Sequence, residues 1–317
     1  MEIQFKSALV TGGAGFIGSH IVDALLAAGC EVTVLDNLST GHLSNLEHVR
    51  DRIAFHRGDI RNQDILMKAA EGCDVIFHQA AIVSIPQTVE NPVESAMVND
   101  MGTLFVLEAA RQCHVKRVVF ASSCAIYGDD PELPKHEGMP PKPLTPYSVQ
   151  KLTGEFYARL FHDLYQVETV CLRYFNVYGP RQDPSSAYSG IISIFMTKAV
   201  AKERPLIFGD GEQYRDFVFV KDVVQANLKA ASAAGASGKR INVGTGKFVR
   251  INELWEMVSY MAELEIEPEY GPARTGDIPE SVANISLAKS LLGFEQKYSF
   301  EKGLRATFEW YNEGVRC

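Results

Sequence analysis

Tyr147 and Lys151 stand four residues apart in a stretch of helical apolar spacing, so their side chains share one face. An ammonium beside a phenol lowers the phenol pKa, and a phenolate near neutrality is a general base. Ser123 lies 24 positions earlier, just past the β-branched run at 118–121. A hydroxyl there can pass a proton between a substrate and Tyr147. A bare Tyr-x-x-x-Lys is a common helix face. The hydroxyl at a strand end is what gives this one chemical weight.

A second constellation reads Thr11-Gly12-Gly13-Ala14-Gly15-Phe16-Ile17-Gly18. Two glycine spacings overlap. Gly13, Gly15 and Gly18 make G-x-G-x-x-G, and Gly12, Gly15 and Gly18 make G-x-x-G-x-x-G. Either lets backbone approach a pyrophosphate with no Cβ in the way, while the helix start at Phe16 and Ile17 offers free N–H groups and partial positive charge. Loops are rich in glycine, so the pattern alone is weak, but here it follows a strand and opens a helix. Asp36 ends the second strand, 18 residues beyond Gly18. An acid there accepts from adenosine ribose hydroxyls and repels a 2′-phosphate. No arginine lies within several residues, so NAD is expected rather than NADP. Asn37 follows it, and Asp59-Ile60, after the third strand, can reach the adenine.

These residues need elements to hold them. Short β-branched runs at 7–10, 31–35, 53–56, 75–78, 118–121 and 169–172 alternate with amphipathic stretches at 16–28, 93–113 and 146–165. That alternation predicts a Rossmann-type, doubly wound parallel sheet in an α/β fold. Gly29 suits the end of the first helix. The proline-rich stretch 131–146 reads as an ordered surface connection, with Thr145 as N-cap and Pro146 at the first helical position. Residues 1–178 with about 212–264 are expected to form the cofactor unit. About 179–211 and 265–317 are expected to form a smaller substrate unit.

Composition narrows the partners. Of 317 residues, 46% are apolar, enough for a large core. A formal charge of −8 argues against nucleic acid, though a local basic pocket can still hold a small anion. No apolar run approaches the roughly 18 residues that span a bilayer, and the opening residues carry no signal pattern. Six cysteines without a Cys-x-x-Cys pair imply reduced thiols and a cytoplasmic protein. The eight histidines show no metal-ligand spacing, so no metal is expected.

Together, the glycine turn, Asp36, Ser122-Ser123 with Tyr127-Gly128, and Tyr147-x-x-x-Lys151 resemble the extended short-chain dehydrogenase/reductase family. Arg173-Tyr174-Phe175-Asn176 and Arg274-Thr275-Gly276-Asp277 narrow the resemblance to its nucleotide-sugar members, over essentially the whole chain, and to the UDP-galactose or UDP-N-acetylglucosamine 4-epimerases. The resemblance implies further roles. Asn99 supports the active site. Phe77 and the segment His78-Gln79-Ala80-Ala81 wall the NAD ribose and nicotinamide, with Tyr174 also on the cofactor. Ser84 binds the substrate, Asn176 contacts the sugar diphosphate, Arg215 and Arg274 clamp the UDP phosphates, and Asp277 holds the uridine ribose. It also implies a homodimer built on helices near 93–113 and 147–165. The implied reaction is redox-neutral: C4 gives a hydride to a tightly bound NAD, the 4-keto sugar turns about its diphosphate link, and the hydride returns to the opposite face.

Three differences sort the relatives. Dehydratases resembling this chain carry an Asp-Glu pair after the catalytic hydroxyl, where Cys124-Ala125 stand here. Enzymes of UDP-glucuronate tend to have arginine where Asp183 stands, which favours a neutral hexose. Arg181 keeps a UDP-glucuronate 4-epimerase or decarboxylase as the alternative. Ser281 resembles a gate beside the sugar C2 substituent, where serine leaves room for an N-acetyl group. Relatives that only bind NAD commonly lose the tyrosine or the lysine, and both are present here.

Overall fold

The computed structural model describes residues 3–183, 190–273, 278 and 280–314. Six strands come first: β1 (Ser7–Thr11), β2 (Glu31–Asp36), β3 (Ile53–Arg57), β4 (Val75–His78), β5 (Arg117–Ser123) and β6 (Glu168–Tyr174). Four short strands follow, β7 (Asn176–Tyr178), β8 (Leu206–Phe208), β9 (Tyr214–Arg215) and β10 (Phe217–Phe219). Then β11 (Lys239–Val243) returns to the first six, and β12 (Val249–Arg250), β13 (Glu269–Gly271) and β14 (Glu280–Ser281) complete the set. The main sheet runs β11-β6-β5-β4-β1-β2-β3, and its pairings are parallel. This is the expected doubly wound order. Its switch point, where ligands bind beyond the strands' carboxyl ends, falls between β1 and β4.

Helices cover both faces, which is why strands such as Ala8-Leu9-Val10 are buried throughout. They are α1 (Phe16–Ala27), α2 (Gln63–Ala70), α3 (Ile85–Glu90), α4 (Pro92–Ala96), α5 (Gly102–Gln112), α6 (Pro146–Tyr165), α7 (Ile191–Val200), α8 (Val220–Ser232), α9 (Ile251–Met261), α10 (Ser286–Leu292) and α11 (Phe300–Gly314). Ile21 and Leu25 of α1, Leu228 of α8 and Ala288 of α10 share a core with Val10 and Val34. Leu66 of α2, Leu107 of α5 and Phe161 of α6 pack with Leu9, Leu35 and Ile76 on the opposite face. A separate core joins Phe195 of α7, Trp255 of α9 and Leu304 of α11 to Phe217 and Phe219.

Packing groups two segments differently from the sequence expectation. Residues 251–258 are expected with the sheet, yet Ile251, Leu254, Trp255 and Val258 all face α7 and α11. Conversely, Ala288, Leu292 and Phe294 are expected in the smaller unit and lie in the sheet's own core. Apolar periodicity reveals that a helix has a buried face but not which partner covers it. The helix expected at 93–113 is also broken, by a π-helical turn at Met97–Met101 between α4 and α5.

The helix that matters most begins as expected. Thr145 caps α6 by accepting from the Ser148 N–H, and the Ser148 hydroxyl accepts in return from the Thr145 N–H. Such a cap stabilises by about 1 kcal/mol. Among the described residues, no helix is long and apolar enough to cross a membrane.

Candidate active site

The turn between β1 and α1 is shaped by glycine. Gly12 has φ +68°, and a Cβ there would lie 2.7 Å from the Ala80 backbone N. A Cβ on Gly18 would collide with the Gly12 carbonyl oxygen. Only hydrogen fits at either position. Gly13 points elsewhere, with its would-be Cβ 2.7 Å from Val34 Cγ1. Of the two overlapping spacings, therefore, Gly12, Gly15 and Gly18 line the cleft and Gly13 serves packing. Phe16 and Ile17 join them, and the first-turn amides of α1 lack intrahelical partners. The cleft holds about 670 Å³ along the carboxyl edge of the sheet.

Asp36 ends β2 inside this cleft. Its carboxylate accepts from Ala14 N–H at 2.9 Å and Leu38 N–H at 2.8 Å. Burial pushes its pKa above the usual range, and those two amides pull it back. Asn37 and Ile60 also line the cleft. Asn37 donates to Asp59 at 2.9 Å, and Arg61 donates to the same carboxylate at 2.9 Å and to Glu94 at 2.7 Å. Arg61 holds the Asp59 carboxyl below its ordinary range. Arg61 is absent from the sequence expectations; it is a cation on the cleft wall whose charge is already engaged by two acids. A glycine cradle, a helix start and a strand-end acid fit a dinucleotide.

The reactive groups sit at the far end of the cleft. Lys151 donates to the Ala121 carbonyl at 2.8 Å, which ties α6 to the end of β5. Its Nζ lies 5.8 Å from the Tyr147 ring centroid. Burial brings Lys151 down to about 8. Burial pushes Tyr147 up to about 12, while a hydrogen bond with Ser123 pulls it down. Desolvation is the largest influence on the Tyr147 phenol. Lys151 is held to a carbonyl and lies over the ring.

Other sequence-derived residues divide into two groups. Gln79, Ala80, Ala81, Ser84 and Tyr174 line the cleft. Tyr174 donates to Asn227 at 2.9 Å, and Ser84 caps α3. Phe77, expected on the wall, is instead fully buried in the core against Phe5, because alternate residues of β4 face opposite sides of the sheet. Asn99 also lies behind the wall. Its side chain accepts from Ile82 N–H at 2.8 Å and donates to Ile82 O at 2.9 Å and Gln150 at 2.7 Å. These bonds tie the turn at Ile82 to α6. Asn99 projects from the π-helical turn, for which the sequence carries no local signal.

The substrate-side residues come from separate segments. Asn176 in β7 donates through its backbone to Asp216 O at 3.0 Å. Arg215 in β9 pairs with Ser281 in β14. Asp216 locks this corner: its buried carboxylate accepts from Thr245 N–H at 2.8 Å, Gly246 N–H at 2.9 Å and Ala283 N–H at 3.1 Å. The Cys124 thiol, next after Ser123, is hydrogen-bonded to Ser281, and burial raises it to about 11. None of Asn176, Arg215 and Ser281 lines the cofactor cleft itself; the Cys124–Ser281 contact joins the two regions. Arg274 and Asp277 lie outside the described residues.

Further polar residues on the cleft wall include Ser39, Thr40, His42 and Gln182. The loop at 180–183 is tied down by Arg181 to Asp23 at 2.8 Å, His42 to Asp183 at 3.1 Å and Tyr311 to Gln182 O at 2.6 Å. In the sequence Ser39, Thr40, His42 and Gln182 carry no signal, whereas Arg181 and Asp183 gain meaning only through the resemblance, since no spacing rule links them to the cleft.

A dinucleotide cradle at the switch point, facing a Ser-Tyr-Lys set, defines a Rossmann-type enzyme of the extended short-chain dehydrogenase/reductase class. The chain belongs to the NAD dependent epimerase/dehydratase family, whose sequence profile matches residues 8–244. It is 40% identical over 307 residues to the UDP-glucose 4-epimerase of Mycolicibacterium smegmatis, spanning 96% of this chain and 97% of that protein. The structure of a UDP-N-acetylglucosamine 4-epimerase from Methanobrevibacter ruminantium M1, in complex with UDP-N-acetylmuramic acid, matches with TM-score 0.94 at 39% identity, covering 99% of this chain and 100% of that one. A Thermus thermophilus UDP-glucose 4-epimerase in complex with NAD matches with TM-score 0.87 at 38% identity, covering 96% of this chain and 98% of that one. The family is NAD-dependent.

Proposed function

We propose that this protein is a UDP-hexose 4-epimerase that interconverts UDP-GlcNAc and UDP-GalNAc and also UDP-Glc and UDP-Gal. The observation that supports the sugar assignment is that Ser281, a small side chain, meets Cys124, the residue next to Ser123; a serine there would leave room for an N-acetyl group. NAD, when bound, would supply a hydride acceptor and positive charge. We assign it to Gly12, Gly15, Phe16, Ile17, Gly18, Asp36, Asn37, Asp59, Ile60, Gln79, Ala80, Ala81 and Tyr174, with Asn99 in support. Tyr147 takes the C4 hydroxyl proton and later returns it, Ser123 bridges the two oxygens, and Lys151 holds α6 against β5. Ser84, Asn176, Arg215, Arg274 and Asp277 are assigned to the UDP moiety, where guanidinium groups suit phosphate oxygens. Binding concentrated on UDP leaves the sugar free to turn.

Arg181 Nη1 lies 2.8 Å from the Asp23 carboxylate, and Asp183 is an acid. That favours a neutral hexose over glucuronate. The apolar stripe Val149, Phe156, Leu160 and Leu164 on α6, with Val93 and Met97 beside it, is exposed and suits a second copy of the chain. We place the enzyme as a cytoplasmic homodimer, which sedimentation would check.

The test is to incubate the NAD-loaded enzyme separately with UDP-GlcNAc, UDP-Glc and UDP-GlcA and look for each 4-epimer. Conversion of the first two is expected. Ser281→Tyr should remove acetamido activity and spare UDP-Glc; equal loss of both would sink the gate assignment.

A further inference from the structure

A line of buried polar side chains runs behind the reactive groups, and the catalytic assignments do not use it. Ser122, directly before Ser123, donates to Glu155 Oε1 at 2.6 Å. Glu155 lies one helical turn beyond Lys151 on α6 and is fully buried. Its carboxylate takes Arg173 Nε at 2.8 Å and Nη2 at 2.7 Å, with Arg240 Nη1 at 4.0 Å. Arg173 also donates to the Tyr127 hydroxyl at 2.9 Å, which donates to Asn242 at 2.6 Å. Asn242 ends the line at the carbonyls of Lys135, at 2.8 Å, and Asn284, at 3.3 Å.

The line therefore touches α6, the end of β5, β6 beside Tyr174, and the segment just past Ser281. A buried ion pair is weak evidence for stability, since apolar side chains of similar volume often do as well. Fully satisfied networks in a low dielectric do hold geometry tightly. Geometry matters here, because a misplacement of about 1 Å costs on the order of 100-fold in rate.

We propose that Ser122 and Glu155 are positioning residues: the Arg173-anchored carboxylate grips the Ser122 hydroxyl and so sets where Ser123 meets Tyr147. This rests on the epimerase reading. Loosening Ser122 lengthens the Ser123–Tyr147 hydrogen bond, the one contact that draws the phenol down. The basic form of Tyr147 then requires a higher pH.

Ser122→Ala is the cleaner test, because Glu155 keeps both hydrogen bonds from Arg173 and the fold is spared an unpaired charge. Measured on the UDP-hexose that the wild type converts, kcat should fall about tenfold with KM nearly unchanged. The acid limb of kcat should move to higher pH, and bound NAD and melting temperature should stay close to wild type. Ser122→Thr should restore both rate and pH profile. Glu155→Gln should move the pH limb the same way and further. Wild-type rate and pH profile in Ser122→Ala would overturn the positioning role alone, as would a loss matched entirely by lost NAD. A wild type that converts no UDP-hexose would overturn the reaction assignment, and this proposal with it.

Discussion

The two halves of the site are built differently. On the cofactor side, Gly12, Gly18 and Asp36 lie on one continuous β–α–β unit, and the backbone itself does the shaping. A turn at φ +68° and two amides on the Asp36 carboxylate leave little to adjust. On the substrate side, Arg215, Ser281 and Cys124 come from three distant segments. Two-residue strands and one buried carboxylate, Asp216, hold that corner together. The contrast teaches where change is tolerated. The cofactor cradle cannot accept even a Cβ at Gly12 or Gly18, whereas a change at Ser281, in a two-residue strand outside the main sheet, is expected to leave that sheet in place. A family with one cofactor and several UDP-sugars needs that division.

The sharpest test lies at the junction of the halves. Tyr147→Phe keeps the ring and removes the proton-transfer oxygen, so epimerisation should fall by about 10²–10⁴-fold. NAD content and UDP affinity should hold, as read by absorbance of the purified protein and by calorimetry. Residual activity near wild type would remove Tyr147 from the chemistry. The next pair separates the halves directly. Arg215→Ala should raise KM for the UDP-sugar by roughly 10–100-fold, the range for a lost charge-assisted hydrogen bond, and leave NAD retention alone. Asp36→Asn should weaken NAD binding by roughly the same factor and leave UDP binding alone. Crossed effects, with Arg215→Ala shedding NAD, would show that the two regions are one unit.

The same contrast explains what is legible in the sequence. Gly15, Asp36, Thr145 and Lys151 announce themselves because their roles depend on local spacing: a turn, a strand end, a cap, one helix face. Even so, two glycine registers stay open until Val34 is seen packing on Gly13. Asn99 is legible only through resemblance, as a support of the active site, and the π-helical turn from which it projects has no sequence period of its own. Residues 251–258 carry a clear amphipathic pattern that cannot say which core will cover it. The Cys124–Ser281 contact spans 157 residues and depends on how Asp216 gathers three loops. No local rule reaches that far.

A further prediction concerns the stability effect of Lys151 itself, which belongs to neither half and closes both. Its main partner in the protein alone is a carbonyl, and burial lowers it from 10.5 to about 8. Between about pH 8 and 10.5 the unfolded chain therefore holds this proton and the folded chain does not. Stability should rise with pH across that window, and the cost of the buried charge should be fully present below it. The span corresponds to at most about 3 kcal/mol, since one pKa unit is 1.36 kcal/mol. Lys151→Met removes the titrating group, so urea unfolding of NAD-free protein at about pH 7.5 and about pH 10 gives the comparison. Relative to the variant, the wild type should gain stability at the higher pH. A difference that does not change with pH would mean that Lys151 titrates as in water. The junction between cofactor and sugar regions would then be far wetter than its packing against Phe120, 5.0 Å from the ammonium, implies.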